Sequence, residues 1–218
     1  MDWRQQVDSY CERVDPSFWA EPVNFVTNLA FILGALWIWP RVKGLIWGQV
    51  LAANLFVIGV GSGLFHSYAE VWAAAVDVLP ILSFVLIYIY IAHRSYWGHS
   101  VTRASIWLVA FVPFVALTVP LFQLVPGLGG SASYAPVALL IALHAVLLRS
   151  RLPQVARGLG IGAALLAGSI LARSLDLPLC QSWPMGTHFL WHILNAVMLT
   201  HMIGVYRAHM LAATRAER

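Results

Sequence analysis

Residues 72–92 read WAAAVDVLPILSFVLIYIYIA, twenty-one positions in which Asp77 is the one charged side chain. A helix of that length rises about 30 Å, which matches the hydrocarbon core of a bilayer. Six more apolar stretches flank it, at roughly 22–39, 45–65, 104–124, 134–148, 159–173 and 188–206. Those at 134–148 and 159–173 are short for a span and are expected to extend into their flanks. Pro80, Pro113 and Pro120 fall inside spans, which membrane helices tolerate better than soluble ones. The runs are continuously apolar rather than alternating, which argues against a closed barrel. Composition agrees: of 218 residues, 60% are hydrophobic and 10% charged, against about 25% charged in a soluble domain. The expected fold is all-α, a polytopic seven-transmembrane helix bundle. It forms one domain over 1–218, with an N-terminal arm at 1–20 and a tail at 207–218. The arm is polar and acidic and lacks the apolar core of a cleavable signal.

Basic residues orient the bundle. Arg41 and Lys43 follow the first span, and Arg94 and Arg103 the third. Arg149, Arg151 and Arg157 follow the fifth, and Arg207, Arg215 and Arg218 the seventh. The intervening loops 66–71, 125–133 and 174–187 contain no Lys or Arg. This alternation is the positive-inside pattern, with the C-terminus in the cytoplasm and the N-terminus outside. The pI of about 9.4 is therefore a topology signal, and nucleic-acid binding is not expected. Eight of nine acidic residues fall on or near the outer side, the exception being Glu217. Acidic residues contribute little to topology, so cation binding is one explanation of that clustering.

Depth in the membrane follows from position in each span. The second helix runs outward and ends near Ser62 and His66; the third runs inward from near Asp77. The seventh begins THFLWHILN, with His188 and His192. Three separate segments thus deliver a serine, three histidines and an aspartate to one outer level. His188 and His192 are four apart and share a helix face, as do Ser62 and His66. Three imidazoles can hold zinc and leave a fourth position for water, whose pKa the metal lowers to about 7. Asp77 is placed to move a proton, and Ser62 to bond a developing oxyanion. Taken alone, His-x-x-x-His is weak, and a single histidine near a helix end is usually interfacial. The shared depth, and an ionisable Asp77 within a span, carry the metal reading. His93, His99 and His209 read as interfacial or solvated, and His144 and His201 lie toward the inner halves of their helices. Arg173 and Asp176 read as a structural pair or cap, and Asn24 and Asn28 as hydrogen-bonding between helices.

Three blocks then resemble the alkaline ceramidase family, seven-span membrane hydrolases related to the adiponectin receptors. They are YCERVDPSFWAEPVNFVTNLAF at 10–31, GSGLFHSYAEVWAAAVDVLP at 61–80 and HFLWHILNA at 188–196. The second carries the family's Gly-Ser-x-x-Phe-His followed by an Asp eleven residues on, and the third its His-x-x-Trp-His. The resemblance implies His66, His188 and His192 as zinc ligands, with Ser62 and Asp77 catalytic. It implies cleavage of ceramide to sphingosine and a fatty acid by zinc-activated water, with Asp77 shuttling the proton. It also implies calcium on Asp8, Glu12, Asp15 and Glu21, although the family's Asp-Trp-Cys-Glu is here DSYCE and its following Asn is Val14. The family has cysteines in the segments of Cys11 and Cys180, which implies a disulfide between them; two free thiols are the alternative.

The expectation is therefore an intramembrane zinc amidase acting on ceramide or a related N-acyl lipid. The rival readings are an ester or phospholipid hydrolase, and a seven-span receptor or sensor with a vestigial hydrolase site. Short inner loops argue against a signalling receptor, and polar residues confined to one depth against a transporter. A bacterial inner membrane, with the site toward the extracytoplasmic side, fits the compact chain.

Overall fold

The computed structural model describes residues 2–7 and 9–216; Asp8, Glu217 and Arg218 lie outside the described residues. Each apolar stretch forms a helical segment. The first is broken in two, α1 (Pro22–Thr27) and α2 (Leu29–Ile38), and ends in a 3-10 turn at Trp39–Val42. There follow α3 (Ile46–Tyr68), α4 (Val71–Ser95), α5 (Val101–Gln123), α6 (Ala135–Leu148), α7 (Pro153–Leu179) and α8 (His188–Ala216). Among the described residues there is no β-strand, only an isolated antiparallel bridge between Gln6 and Glu70.

Among the described residues, six segments are long and apolar enough to cross a membrane, the first being Pro22–Val42. The exception is α6, whose 14 residues rise about 21 Å. It does not extend into its flank as the sequence suggested: Pro136 sits in its first turn, where proline starts a helix, and Gly129–Ser133 before it is 3-10. By contrast, α7 extends in both directions to 27 residues. The expected tail at 207–218 continues α8 as helix through Ala216.

Burial grades across the bundle. About 56% of the apolar window of α3 is buried but only 6% of that of α5, and Val109, Val112 and Leu117 of α5 are exposed. Such an apolar exterior suits lipid, where every backbone group must be satisfied within the helix. The core is built by Leu51, Leu55 and Ile58 of α3, Leu159 and Leu166 of α7, and Met202 and Ile203 of α8. Helices α3 and α4 approach closely at Gly61, where a Cβ would strike the carbonyl oxygen of Val76. Small residues at such contacts let helix backbones meet, and here the contact sits beside Ser62 and Asp77.

The arm is docked over the end of the bundle where α3 ends and α4 and α8 begin. The Val7 N–H donates to the Ala69 carbonyl at 2.6 Å, and the Val71 N–H to the Gln5 carbonyl at 3.1 Å. A disulfide joins Cys11 to Cys180, 169 residues apart, and so ties the arm to the loop ahead of α8. Gly186 in that loop has φ +66°, and a side chain there would run into the Asp176 carboxylate and Cys11.

Candidate metal centre

Two turns from two helices make the centre. The last turns of α3 carry Ser62 and His66, and the first two turns of α8 carry His188 and His192. The three imidazoles are buried, at 1%, 2% and 1% exposure for His66, His188 and His192. One ring nitrogen from each lies within 4.8 Å of the others, the one such group of three metal-ligating residues among the described residues. Ring centroids are 4.7 Å apart for His66 and His192 and 4.6 Å for His188 and His192.

Neighbouring groups decide which nitrogen each ring offers. His66 Nδ1 lies 2.6 Å from Glu21 Oε2. A carboxylate there can only accept, so Nδ1 carries the proton and Nε2 keeps its lone pair for an ion. His192 Nδ1 lies 2.9 Å from Thr27 Oγ1, whose hydroxyl donates to the Val23 carbonyl at 2.8 Å. The Thr27 oxygen therefore accepts from His192, and Nε2 is again left free. His188 Nδ1 is buried with no partner, and its ring stacks on Tyr10 at 3.6 Å. Buried imidazole nitrogens without protein partners are what a metal ion satisfies, and the donor set fits one.

Asp77 sits in the second turn of α4, and its Oδ1 is inaccessible and unbonded. Ser62, His66, Arg173, Tyr10 and Tyr134 are polar groups near it. Arg173 donates to Ser131 Oγ at 3.0 Å and Tyr10 Oη at 3.4 Å, and lies 5.4 Å from the Tyr134 ring. Burial above all, against the pull of Arg173, holds the Tyr10 phenol well above its ordinary pKa, so it stays a neutral hydroxyl. Asp176 is buried at 2% and caps α8: Oδ1 accepts from the N–H of Thr187 at 2.7 Å and of His188 at 2.8 Å. Its Oδ2 accepts from the Cys11 N–H at 2.9 Å.

Among the described residues, Glu12, Asp15 and Glu21 do not gather into a group of three candidate ligands. Glu12 accepts from the N–H groups of Val23 and Asn24 at 2.7 and 2.8 Å and caps α1. Asp15 is exposed and accepts from the Ser17 N–H at 2.7 Å. Glu21 binds Arg13 through Oε1 at 2.6 Å, and His66 and Asn24 through Oε2 at 2.6 and 3.1 Å. Asp8 lies outside the described residues. As they stand, Glu12, Asp15 and Glu21 do not fit a calcium ion. Burial opposes the charge of Glu21, but the His66 and Arg13 contacts outweigh it and hold the carboxyl below its usual range.

Other sequence expectations are relocated too. Asn28 bonds the Asn24 carbonyl within its own segment at 2.8 Å rather than another helix. His93 is buried, not solvated, and stacks on Trp107 at 4.9 Å and His99 at 5.3 Å. Tyr10, Arg13 and Thr27 were not singled out by the sequence. Tyr10 had one available signal, an aromatic residue beside Cys11.

A cleft of about 1310 Å³ lies at the opposite end between α2, α7 and α8. Its lining includes Trp37, Arg41, Arg157, Thr200 and Arg207 but no carboxylate and none of the three clustered histidines. Size alone would nominate it; the reactive groups are elsewhere. A cavity of about 50 Å³ adjoins the centre, lined by Tyr134, Trp191, Leu166 and Asn195 among others.

No curated protein matches the chain. The Ceramidase family model matches residues 8–218, which takes in the arm, Ser62, Asp77 and all three histidines. A match over that span, on a helical bundle whose three imidazoles converge, means that this chain belongs to the ceramidase family.

Proposed function

We propose that the protein is a zinc-dependent amide hydrolase that cleaves ceramide to sphingosine and a fatty acid, acting as one seven-span membrane domain over 1–218. Family membership supports the reaction and the lipid substrate. The observation that carries the reading is the convergence of three buried imidazole nitrogens within 4.8 Å at the end of the bundle that also holds Asp77. Zinc is favoured because three histidines make a common open catalytic set, with a fourth position left for water or substrate. His66, His188 and His192 would hold the ion, which when bound supplies Lewis acidity that polarises a carbonyl and makes water nucleophilic near neutral pH.

The chain's own groups do the rest. Asp77 Oδ1 has no hydrogen bond to give up, so it can take a proton from the attacking water and deliver it to the leaving sphingoid amine. Ser62 donates a hydrogen bond to the oxygen on which negative charge develops. Tyr10, stacked on His188, limits access of bulk water from the arm side. Glu21 and Thr27 keep the proton on Nδ1 of His66 and His192, and so keep both rings competent as ligands.

The orientation belongs to the same proposal. Arg41, Arg151, Arg157 and Arg207 line one cleft at the end away from His66, His188 and His192, which supports a cytoplasmic C-terminus. The centre then lies toward the extracytoplasmic leaflet of a bacterial inner membrane, near the depth of a ceramide amide.

Purified protein should carry about one zinc per chain and release fatty acid from labelled ceramide, faster than from an ester analogue. Asp77→Asn should keep the zinc and lose about 10²–10⁴ in kcat. Undiminished turnover in that variant refutes the proton role. Full zinc content in a His188→Ala, His192→Ala double variant refutes the ligand set.

A further inference from the structure

We propose that Arg13 is a built-in cation that stands where calcium would be expected and positions His66 through Glu21, so that the protein neither binds nor needs calcium. Arg13 is buried, at 7% exposure, and all three nitrogens of its guanidinium donate hydrogen bonds. Nε donates to Glu21 Oε1 at 2.6 Å. One terminal nitrogen donates to the carbonyls of Asp15 at 3.1 Å and Ser17 at 3.3 Å, and the other to the carbonyl of His66 at 3.0 Å. One carboxylate oxygen and three main-chain carbonyls are the oxygen types that calcium collects, and here they are turned onto a guanidinium. Glu21 carries one negative charge, which Arg13 balances. A divalent ion among the same oxygens would place two more positive charges against a buried cation. The sequence points the same way, because Val14, two residues past Glu12, has no side-chain oxygen to offer a cation.

The contact reaches the metal centre. Glu21 accepts from Arg13 with one oxygen and from His66 Nδ1 with the other, so the fork fixes the carboxylate that fixes the His66 tautomer. Arg13 also grips the His66 carbonyl and thus holds the last turn of α3 at both its backbone and its ring. Arg13 is therefore a positioning residue. This second half rests on reading His66 as a metal ligand; the calcium half does not.

The test starts with wild-type protein stripped of divalent ions and reloaded with one equivalent of zinc. Adding 1 mM calcium should leave the melting temperature and kcat/KM unchanged, and terbium(III), a luminescent calcium mimic, should show no stoichiometric site. Arg13→Gln should lose zinc to a competing chelator about 10–100-fold more readily, and Arg13→Lys, which restores charge without the fork, should recover part of that loss. A melting temperature that rises by several degrees with calcium, stoichiometric terbium binding, or wild-type zinc retention in Arg13→Gln would each overturn the proposal. If Arg13→Gln does not fold, the wild-type calcium and terbium measurements decide it. A wild type that takes up no zinc overturns the metal reading of the histidines, and the calcium result still stands or falls on its own.

Discussion

Replacing Glu21 by glutamine exchanges one carboxylate oxygen for an NH2 group at almost constant shape, and no orientation of the new amide suits the pocket. With its oxygen toward Arg13 Nε, the NH2 faces His66 Nδ1 and the Asn24 Nδ2 donor, which sit 2.6 and 3.1 Å from Glu21 Oε2. His66 can then satisfy the contact only by shedding the Nδ1 proton. The neutral ring must carry it on Nε2, the nitrogen left for a metal. Turned the other way, the NH2 meets the Arg13 Nε–H, donor against donor, where Glu21 Oε1 now accepts at 2.6 Å. Either way a charge-assisted bond to a buried group is lost, worth roughly 1.5–3 kcal/mol. At about 1.4 kcal/mol per decade that is about 10–100-fold in zinc affinity, in line with second-shell losses elsewhere. The assay is competition for zinc against a chromophoric chelator, with melting temperature followed in parallel. Arg13, left without its anion, should also lower stability, at most by the roughly 3–5 kcal/mol of a broken buried pair. Zinc affinity in Glu21→Gln within twofold of wild type would show that the carboxylate does not set the His66 tautomer.

Three further outcomes follow from the same geometry. Replacing both Cys11 and Cys180 by serine frees the arm from the loop ahead of α8 and should destabilise the protein by about 2–5 kcal/mol, read as a lower melting temperature under non-reducing conditions; an unchanged value refutes a role for the bridge. Asp176→Asn sets an NH2 against the Cys11 N–H and weakens the cap of α8, at about 1–3 kcal/mol, and zinc retention should fall with it because His188 opens that helix. Glu12 supplies the pH test. Burial, ahead of its two backbone hydrogen bonds, raises its carboxyl above the usual value. The folded chain thus holds that proton more readily than the unfolded chain, and stability from this group grows as pH falls. The melting temperature of wild type relative to Glu12→Gln should therefore rise from pH 7 toward pH 4.5, and a difference that is flat or falls refutes the assignment.

The helices were legible because lipid imposes a simple rule: long apolar runs must close their own hydrogen bonds. Stretches such as 72–92 therefore declared themselves, and their ends were off only where polar residues continue a helix, as in α7 and the tail of α8. The expectation that Ser62, His66, Asp77, His188 and His192 share one level came from alternating basic loops, a global signal, and the three histidines do meet at one end of the bundle. The partners of those residues were not legible. Glu21 meets His66 across 45 positions and Thr27 meets His192 across 165, and no local pattern encodes such contacts. The acidic arm shows a related limit: in sequence, acidic residues look alike whether they await an external cation or, like Glu21, contact Arg13.

The roles of the elements also differ in kind. Two helices, α3 and α8, present the three rings, but neither fixes which nitrogen points inward. For His66 and His192 that choice is made by Glu21 and Thr27 at the start of the first span, with Arg13 in the arm holding Glu21, while Tyr10 covers the face of the His188 ring. Residues 10–27 thus support the three rings from a different part of the chain. A ligand set whose tautomers depend on a separate segment is complete only when that segment is docked. Docking of the arm and binding of the metal should then be one cooperative event, since each stabilises the arrangement the other needs. The disulfide lies where it serves this coupling, between Cys11, one residue after Tyr10, and the loop that leads into His188. It holds residues 10–27 against the helix that bears two of the three histidines.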